Sequence, residues 1–314
     1  MTARTVLDRA GTALGLVGVA LVFGLLVGPQ FFDPANLDLM ARQTAIVCMS
    51  ALGMTVVIVA GGIDLSVGSI IALSTVVIAL RLRAGAAPVM AAAVGVLAGG
   101  VCGVLNGVLV TGLRVVPFIV TLGTMLLVRG AAKGFADEHR IEAPFTWLND
   151  LLRARRGLSL PSGVWLLILL ALVVAGVLRY TRFGRHVFAI GSNPRTARLC
   201  GVAMDRTTIA VYTISGVFAG LAGLLEFSKI AVGDPTVGLG SELDVIAAVI
   251  IGGGSLNGGR GTIAGTVIGA AIMTVIQVGS SQRGLASWVQ QIVTGAIIVV
   301  AVALDRIRAG RAAE

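Results

Sequence analysis

Between consecutive Asp, Glu, Lys or Arg residues the chain leaves ten stretches of 14 or more uncharged residues: 10–32, 43–63, 65–80, 84–113, 115–128, 157–178, 207–225, 245–259, 261–282 and 284–304. Apolar side chains occupy every face of such a stretch, as over 293–303, whereas a barrel strand alternates apolar and polar positions over about ten residues. A helix that crosses a bilayer needs about 20 mostly apolar residues, within a range of about 17 to 25. Seven stretches are long enough alone. The short ones, 65–80, 115–128 and 245–259, either take in a terminal arginine that snorkels, as Arg129 could, or are half-spans beside a break. The pattern predicts an all-α, polytopic integral membrane protein of about ten transmembrane helices, forming a single domain over 1–314. Stretch 10–32 follows Arg4 and Arg9, but it outruns the apolar core of a signal peptide, about 7 to 15 residues. It reads as a retained first helix.

Composition agrees. Only 12% of the 314 residues are charged and the mean hydropathy is +0.97, where a soluble domain carries about 25% charge. The net charge of +9 excludes little by itself. Its arginines flank apolar stretches with few aromatics between them, which suits anionic lipid headgroups and not nucleic acid. Ten crossings that begin in the cytoplasm return the carboxyl end there. The inner segments then hold 13 Arg and 5 acidic residues, and the outer ones 11 Lys or Arg and 10 acidic residues. Arg179, Arg182, Arg185, Arg195, Arg198 and Arg206 gather in one inner loop and Arg306, Arg308 and Arg311 in the tail, as the positive-inside rule asks. Arg153, Arg155 and Arg156 oppose it from the longest loop, where the rule is less strict. Cys48, Cys102 and Cys200 have no metal spacing, and His139 and His186 form no zinc pair. We therefore expect no catalytic residue, no metal and no cofactor in this chain. Gly95, Gly99 and Gly103, four apart, read as a packing stripe.

Three segments depart from plain apolar helix. Gly61 to Ser69 and Gly252 to Thr262 are Gly-rich breaks, and a broken helix at membrane depth is tolerated only inside protein or along a cavity. The runs 43–132 and 207–304 begin on opposite sides of the membrane under this topology, so they form a candidate inverted repeat. Asp64 is enclosed by apolar sequence and has two compatible roles. One is to cap helix 65–80 together with Ser66; the other is to stand in a pathway. Gly254 and Gly259 have phosphate-loop spacing, yet Arg260 and Gly261 replace the Lys and Ser or Thr such a loop needs. Any ATP hydrolysis must come from another polypeptide. In the third segment, within 180–206, Asn193 can cap a helix, Pro194 suits its first position and Gly201 the residue past its end.

GGIDLSVGSIIALS at 61–74, GRHVFAIGSNPRTARLCGV at 184–202 and GLGSELDVIAAVIIGGGSLNGGRGT at 238–262 together resemble the permease subunits of ABC importers for monosaccharides, the ribose-type branch. That resemblance implies an inner-membrane subunit, multi-pass with both termini cytoplasmic, and a second permease copy beside it. It also implies an ATP-binding subunit in the cytoplasm, where the ATP is used, and a periplasmic or lipid-anchored sugar-binding protein outside. Gly191, Asn193, Pro194, Arg195, Ala197 and Gly201 are then the loop that docks on the ATPase. Asp64, Ser66, Ser69, Asn106, Asn257 and Gln277 are candidates for the translocation path, and Glu242 and Asp244 for contact with the binding protein. The resemblance implies import of a ribose-like pentose, a hexose or a related sugar by alternating access. The alternatives are a permease for a branched-chain amino acid or nucleoside, and an ion-coupled secondary transporter.

Overall fold

The computed structural model describes residues 3–153 and 160–310, so Arg155, Arg156 and Arg311 lie outside the described residues. Each uncharged stretch lies on one helix. In chain order the helices are α1 (Ala3–Val27), α2 (Pro34–Val59), α3 (Val67–Arg83), α4 (Pro88–Leu113), α5 (Pro117–Phe135) and α6 (Ser162–Tyr180). They are followed by α7 (Arg182–Ser192), α8 (Pro194–Leu199), α9 (Met204–Ile230), α10 (Ser241–Ile251), α11 (Ile263–Gln282) and α12 (Ser287–Gly310). The starts are written in proline: Pro34, Pro88, Pro117 and Pro194 each open a helix, where the missing N–H costs nothing.

Among the described residues six helices, α2, α4, α5, α6, α9 and α11, are long and apolar enough to cross a bilayer. Two further apolar helical segments, Gly11–Val27 and Ser287–Val300, lie within α1 and α12. The short stretch 115–128 grows into α5 by taking in Arg129 and Lys133, and 65–80 grows into α3 by taking in Arg81 and Arg83. Stretch 245–259 does not grow. Its helix α10 has 11 residues, about 16 Å at 1.5 Å per residue, half of a hydrocarbon core of about 30 Å. It is a half-span.

The centre of the bundle is made by α2, α3, α9, α10 and α11, while α5 and α6 bury only about a third of their apolar windows. The packing has a reciprocal order. Helix α2 rests on α9, α10 and α11; helix α9 rests on α2, α3 and α4. The α4–α9 contact is the closest, because glycine removes the side chains between the two backbones. A Cβ on Gly103 would lie 2.9 Å from the Cα of Thr213, and one on Gly216 would lie 2.8 Å from the Cα of Gly103. The expected stripe is a packing stripe as predicted, with Gly99 and Gly103 against α9 and Gly95 against Ile78 and Ser74 of α3. In lipid, where apolar surface gains nothing from leaving its solvent, such van der Waals contact is what joins helices.

Among the described residues strand is confined to one antiparallel pair, β1 (Ile141–Glu142) and β2 (Val232–Gly233), with Ile141 opposite Gly233. It ties the 136–160 connection to the segment after α9.

Candidate functional site: two aspartate turns and the cavities beside them

The chain between α2 and α3 turns around Asp64, which is fully buried. Its Oδ1 accepts from the Ser66 backbone N–H at 3.0 Å and from the Ser66 hydroxyl at 2.6 Å. Its Oδ2 accepts from the Ser215 hydroxyl of α9 at 2.8 Å. Asn106 of α4 donates through Nδ2 to Ser66 Oγ at 2.8 Å and to Asp64 Oδ1 at 3.4 Å. One residue earlier, the carbonyl of Ile63 accepts from Thr121 of α5 at 3.0 Å and from the Tyr212 hydroxyl of α9 at 3.5 Å. Five helices thus converge on one unwound segment, which satisfies the polar groups that an unwound backbone would otherwise leave bare. The expected cap takes a modified form. Ser66 spends its hydroxyl on Asp64 and Asn106, so it makes no side-chain bond to the first turn of α3. Asp64 takes the Ser66 N–H instead.

A second aspartate turn, not singled out in the sequence reading, lies between α9 and α10. Asp234 Oδ1 accepts from the Thr236 backbone N–H at 2.8 Å and the Thr236 hydroxyl at 2.6 Å, the same scheme as at Asp64. The signal was legible: Asp64-Leu65-Ser66-Val67-Gly68 recurs as Asp234-Pro235-Thr236-Val237-Gly238. Both helices before the turns exit through a left-handed residue, Gly61 at φ 82° and Ala231 at φ 59°. The stretch 231–240 thus repeats the local scheme of the Gly61–Ser69 break and is distinct from the Gly252–Thr262 segment. That segment is the turn between α10 and α11, closed by Thr262 accepting from the Gly265 N–H at 3.1 Å.

The second turn is pinned by charge. Arg140 donates from Nε to Asp234 Oδ2 at 2.8 Å, and half-buried Arg129 donates to the carbonyls of Pro235 and Val237 at 3.0 and 2.7 Å. Burial pushes the Asp234 carboxyl up, but the Thr236 hydrogen bonds and the Arg140 guanidinium outweigh it and hold the group below the usual carboxylate range. The two turns meet where their final glycines press together. A Cβ on Gly238 would lie 2.7 Å from the Gly68 carbonyl oxygen, and one on Gly68 would strike the Gly238 carbonyl.

At the carboxyl end of α2, beside Gly61, the short helices lie as the Asn193, Pro194 and Gly201 signals predict. Asn193 Oδ1 accepts from the Thr196 N–H at 3.0 Å, α8 begins at Pro194, and Gly201 follows its end at φ 80°. Ala197 is buried, whereas Arg195, Arg198 and Leu199 are exposed, Leu199 to 88%. Gly191 of α7 sits against the end of α2: the Gly259 N–H donates to the Val59 carbonyl at 2.9 Å, and a Cβ on Gly191 would lie 2.6 Å from that nitrogen.

The remaining candidates separate. Asp64, Ser66, Ser69 and Asn106 are fully buried, and the Ser69 hydroxyl has no partner. Asn257 lines a cavity of about 610 Å³ beside Gly61, Gly191 and Pro194. Gln277 of α11 donates to Asp244 Oδ2 at 2.7 Å, and both line a separate cavity at the opposite end of α2. Glu242 stands beside Gly68. Glu242 and Asp244, the candidates for contact with the binding protein, are both half-buried.

Residues 36–302 match the family described as branched-chain amino acid transport system / permease component. The chain is 39% identical over 293 residues to the ribose import permease protein RbsC of Escherichia coli (strain K12), covering 92% of this chain and 91% of that protein. It is 39% identical over 305 residues to the ribose import permease protein RbsC of Bacillus subtilis (strain 168), covering 96% and 94%. It is 35% identical over 299 residues to the fructose import permease protein FrcC of Rhizobium meliloti, covering 93% and 83%. No solved structure matches it. With broken helices, a half-span and a family match that runs nearly end to end, the chain belongs to this family of transport permeases, in the group that holds the ribose import permeases.

Proposed function

We propose that the chain is the membrane subunit of an ATP-driven importer that moves a monosaccharide across a bacterial inner membrane by alternating access. A second copy of the permease stands beside it, the ATP-binding subunit docks on α7 and α8, and a sugar-binding protein delivers the solute at the opposite end. Both termini are then cytoplasmic. The observation that carries this reading is the joint at Gly191. Because α7 touches Val59 and Gly259 with no side chain between them, a push on α8 reaches the end of α2 and the turn before α11 without loss in flexible side chains. The exposed Leu199, beside the exposed Arg198, is the knob a partner would grip. The reciprocal packing of α2 and α9 and the repeated aspartate turn support two inverted repeats, α2 to α5 and α9 to α12. Under this reading Asp64, Ser66 and Asn106 hold the unwound segment in place, and Gln277 faces solute.

Co-expression with the cognate ATPase and binding protein tests it. Leu199→Glu should leave the permease folded and membrane-inserted, while abolishing co-purification of the ATPase and uptake of labelled ribose, fructose, allose or arabinose. Wild-type uptake that survives loss of the ATPase but collapses with an uncoupler would establish ion coupling instead.

A further inference from the structure

Two adjoining cavities open between α2, α9, α10 and α11, around the Gln277–Asp244 pair. The inner one, of about 180 Å³, is lined by Gln43 and Ser50 of α2, Glu226 and Lys229 of α9, Asp244 of α10 and Gln277 of α11. The outer one, of about 690 Å³, shares Gln43, Asp244 and Gln277 and continues past Gln290, Gln291 and Thr294 of α12. It opens toward the end where α11 stops and α12 starts, since Gln282 and Ser287 also line it. The inner cavity reaches Ser50, sixteen residues into α2, or about 24 Å along its axis. Beyond it every α2 residue from Ala51 to Val59 is buried. The inner cavity therefore ends against this buried stretch of α2.

Its chemistry is that of a neutral polyol site. Ser50 is 1% exposed and its hydroxyl has no hydrogen-bond partner, an arrangement that costs about 1 to 3 kcal/mol unless something arrives to pair with it. Around it stand a carboxylate and ammonium paired at 3.2 Å, Glu226 and Lys229, and an amide paired with a carboxylate, Gln277 and Asp244. Each of these pairs has lone pairs or protons left over. A sugar hydroxyl both donates and accepts, so it can meet all of them, while Ile46, Val47, Ile71 and Val245 supply apolar wall for ring carbons. An anion would face two carboxylates against one ammonium. Two of the groups, Glu226 and Lys229, sit at the end of an otherwise apolar helix, which is why the sequence reading passed over them.

We propose that this chamber is where one monosaccharide lodges within a single protomer, entering through the glutamine-lined cleft, with Ser50, Glu226 and Gln277 as its hydrogen-bonding groups. The inference rests on the import reading above and adds the place. Ser50→Leu fills the chamber. In proteoliposomes holding the whole importer it should cut sugar uptake about tenfold or more, equivalent to about 1.4 kcal/mol, while ATP hydrolysis stimulated by the binding protein persists. Ser50→Cys, with Cys48, Cys102 and Cys200 replaced by Ala, should react with a small impermeant methanethiosulfonate. The transported monosaccharide should slow that reaction, and leucine should not. Wild-type uptake by an assembled Ser50→Leu importer, or Ser50→Cys labelling indifferent to the sugar, would overturn the chamber and leave the import reading standing. A wild-type importer that moves no monosaccharide would overturn both.

Discussion

The Asp64 and Asp234 turns share a five-residue pattern and one hydrogen-bonding scheme, yet opposite chemistry holds each in place. Around Asp64 the partners are neutral: two serines, an asparagine, a threonine and a tyrosine from neighbouring helices. Among the described residues no basic side chain pairs with it. Around Asp234 the partners are cations, Arg140 on the carboxylate and Arg129 on the carbonyls that follow. The contrast follows from depth. A turn sealed among helices can collect hydroxyls and amides from all sides, and an unneeded arginine there would bring a large desolvation cost. A turn near the end of the bundle has fewer helices within reach, and a long guanidinium side chain spans the gap with its charged end near water. The first turn is therefore held by many short bonds that must break together, the second by a few that can be released singly.

The largest expected effect lies where the turns meet. Gly68→Leu and Gly238→Leu each push a side chain into the other turn's backbone, which has nowhere to move, and overpacking of that kind costs about 3 kcal/mol or more. Neither variant should give a monodisperse peak in detergent gel filtration, and Gly238→Leu, at φ 72°, should be the worse. If both were tolerated, the turns would not be in contact. Next come the aspartates. Asp64→Ala strands two serine hydroxyls, a backbone N–H and an amide in a fully buried site, a loss on the order of 4 kcal/mol. Asp234→Ala releases the exposed Arg140 to solvent and should cost about 1 to 2 kcal/mol. Melting temperatures of the two variants in the same detergent decide this, and the reverse order would break the comparison.

The sequence made one of these turns obvious and hid the other for a physical reason. Asp64 stands out because apolar residues flank it on both sides, whereas Asp234 follows Glu226 and Lys229 and precedes Glu242, so a count of charges reads its surroundings as an ordinary polar loop. The repeated Asp-x-Ser/Thr-Val-Gly pattern carries the information, but only when the two segments are compared. Helix positions were legible from charge gaps, because a residue that cannot pair its charge in lipid must stay near an end. Helix lengths were less so: α3 and α5 extend through arginines that the gaps treated as boundaries, and α10 stops early at glycines. The short helix at Pro194 was fully legible, since its caps are local. Cavity walls were not. Ser50 is one of many small residues in an apolar helix, and only the fold shows which of them is left without a partner.

Charge on the second turn gives it a pH dependence that the first should not share in the same range. Asp234 is held below the usual carboxylate value by Thr236 and Arg140. A carboxyl with a lowered folded-state pKa stabilises fully above its unfolded value, about 3.9, and the contribution fades as pH falls through the lower folded value. Hydrogen-exchange protection across 232–240, measured relative to the intrinsic exchange rate at each pH, should therefore hold from pH 7 to about 4 and fall below that. In Arg140→Gln the loss of protection should begin at higher pH, because a cation that lowers the carboxyl is gone. A profile unchanged by Arg140→Gln would remove the ion pair from the account of this turn.

The smallest effect, and the cleanest comparison, concerns the left-handed residues that end α2 and α9. Gly61 takes φ 82° as glycine can, while Ala231 takes φ 59° with a Cβ attached. A left-handed conformation costs an L-residue about 1 to 2 kcal/mol, and glycine carries an extra entropic cost of roughly 0.5 to 1 kcal/mol on folding. Gly61→Ala should thus lower stability by about 1 kcal/mol. The added Cβ would meet nothing closer than the Gly191 Cα at 3.7 Å, so the loss would report backbone strain and not a clash. Ala231→Gly should raise stability by about 0.5 kcal/mol. Paired thermal unfolding curves measure both, and opposite signs are the expected result. Equal signs would mean that the two helix ends differ in backbone conformation, and with that difference the correspondence between the two turns would lose its first element.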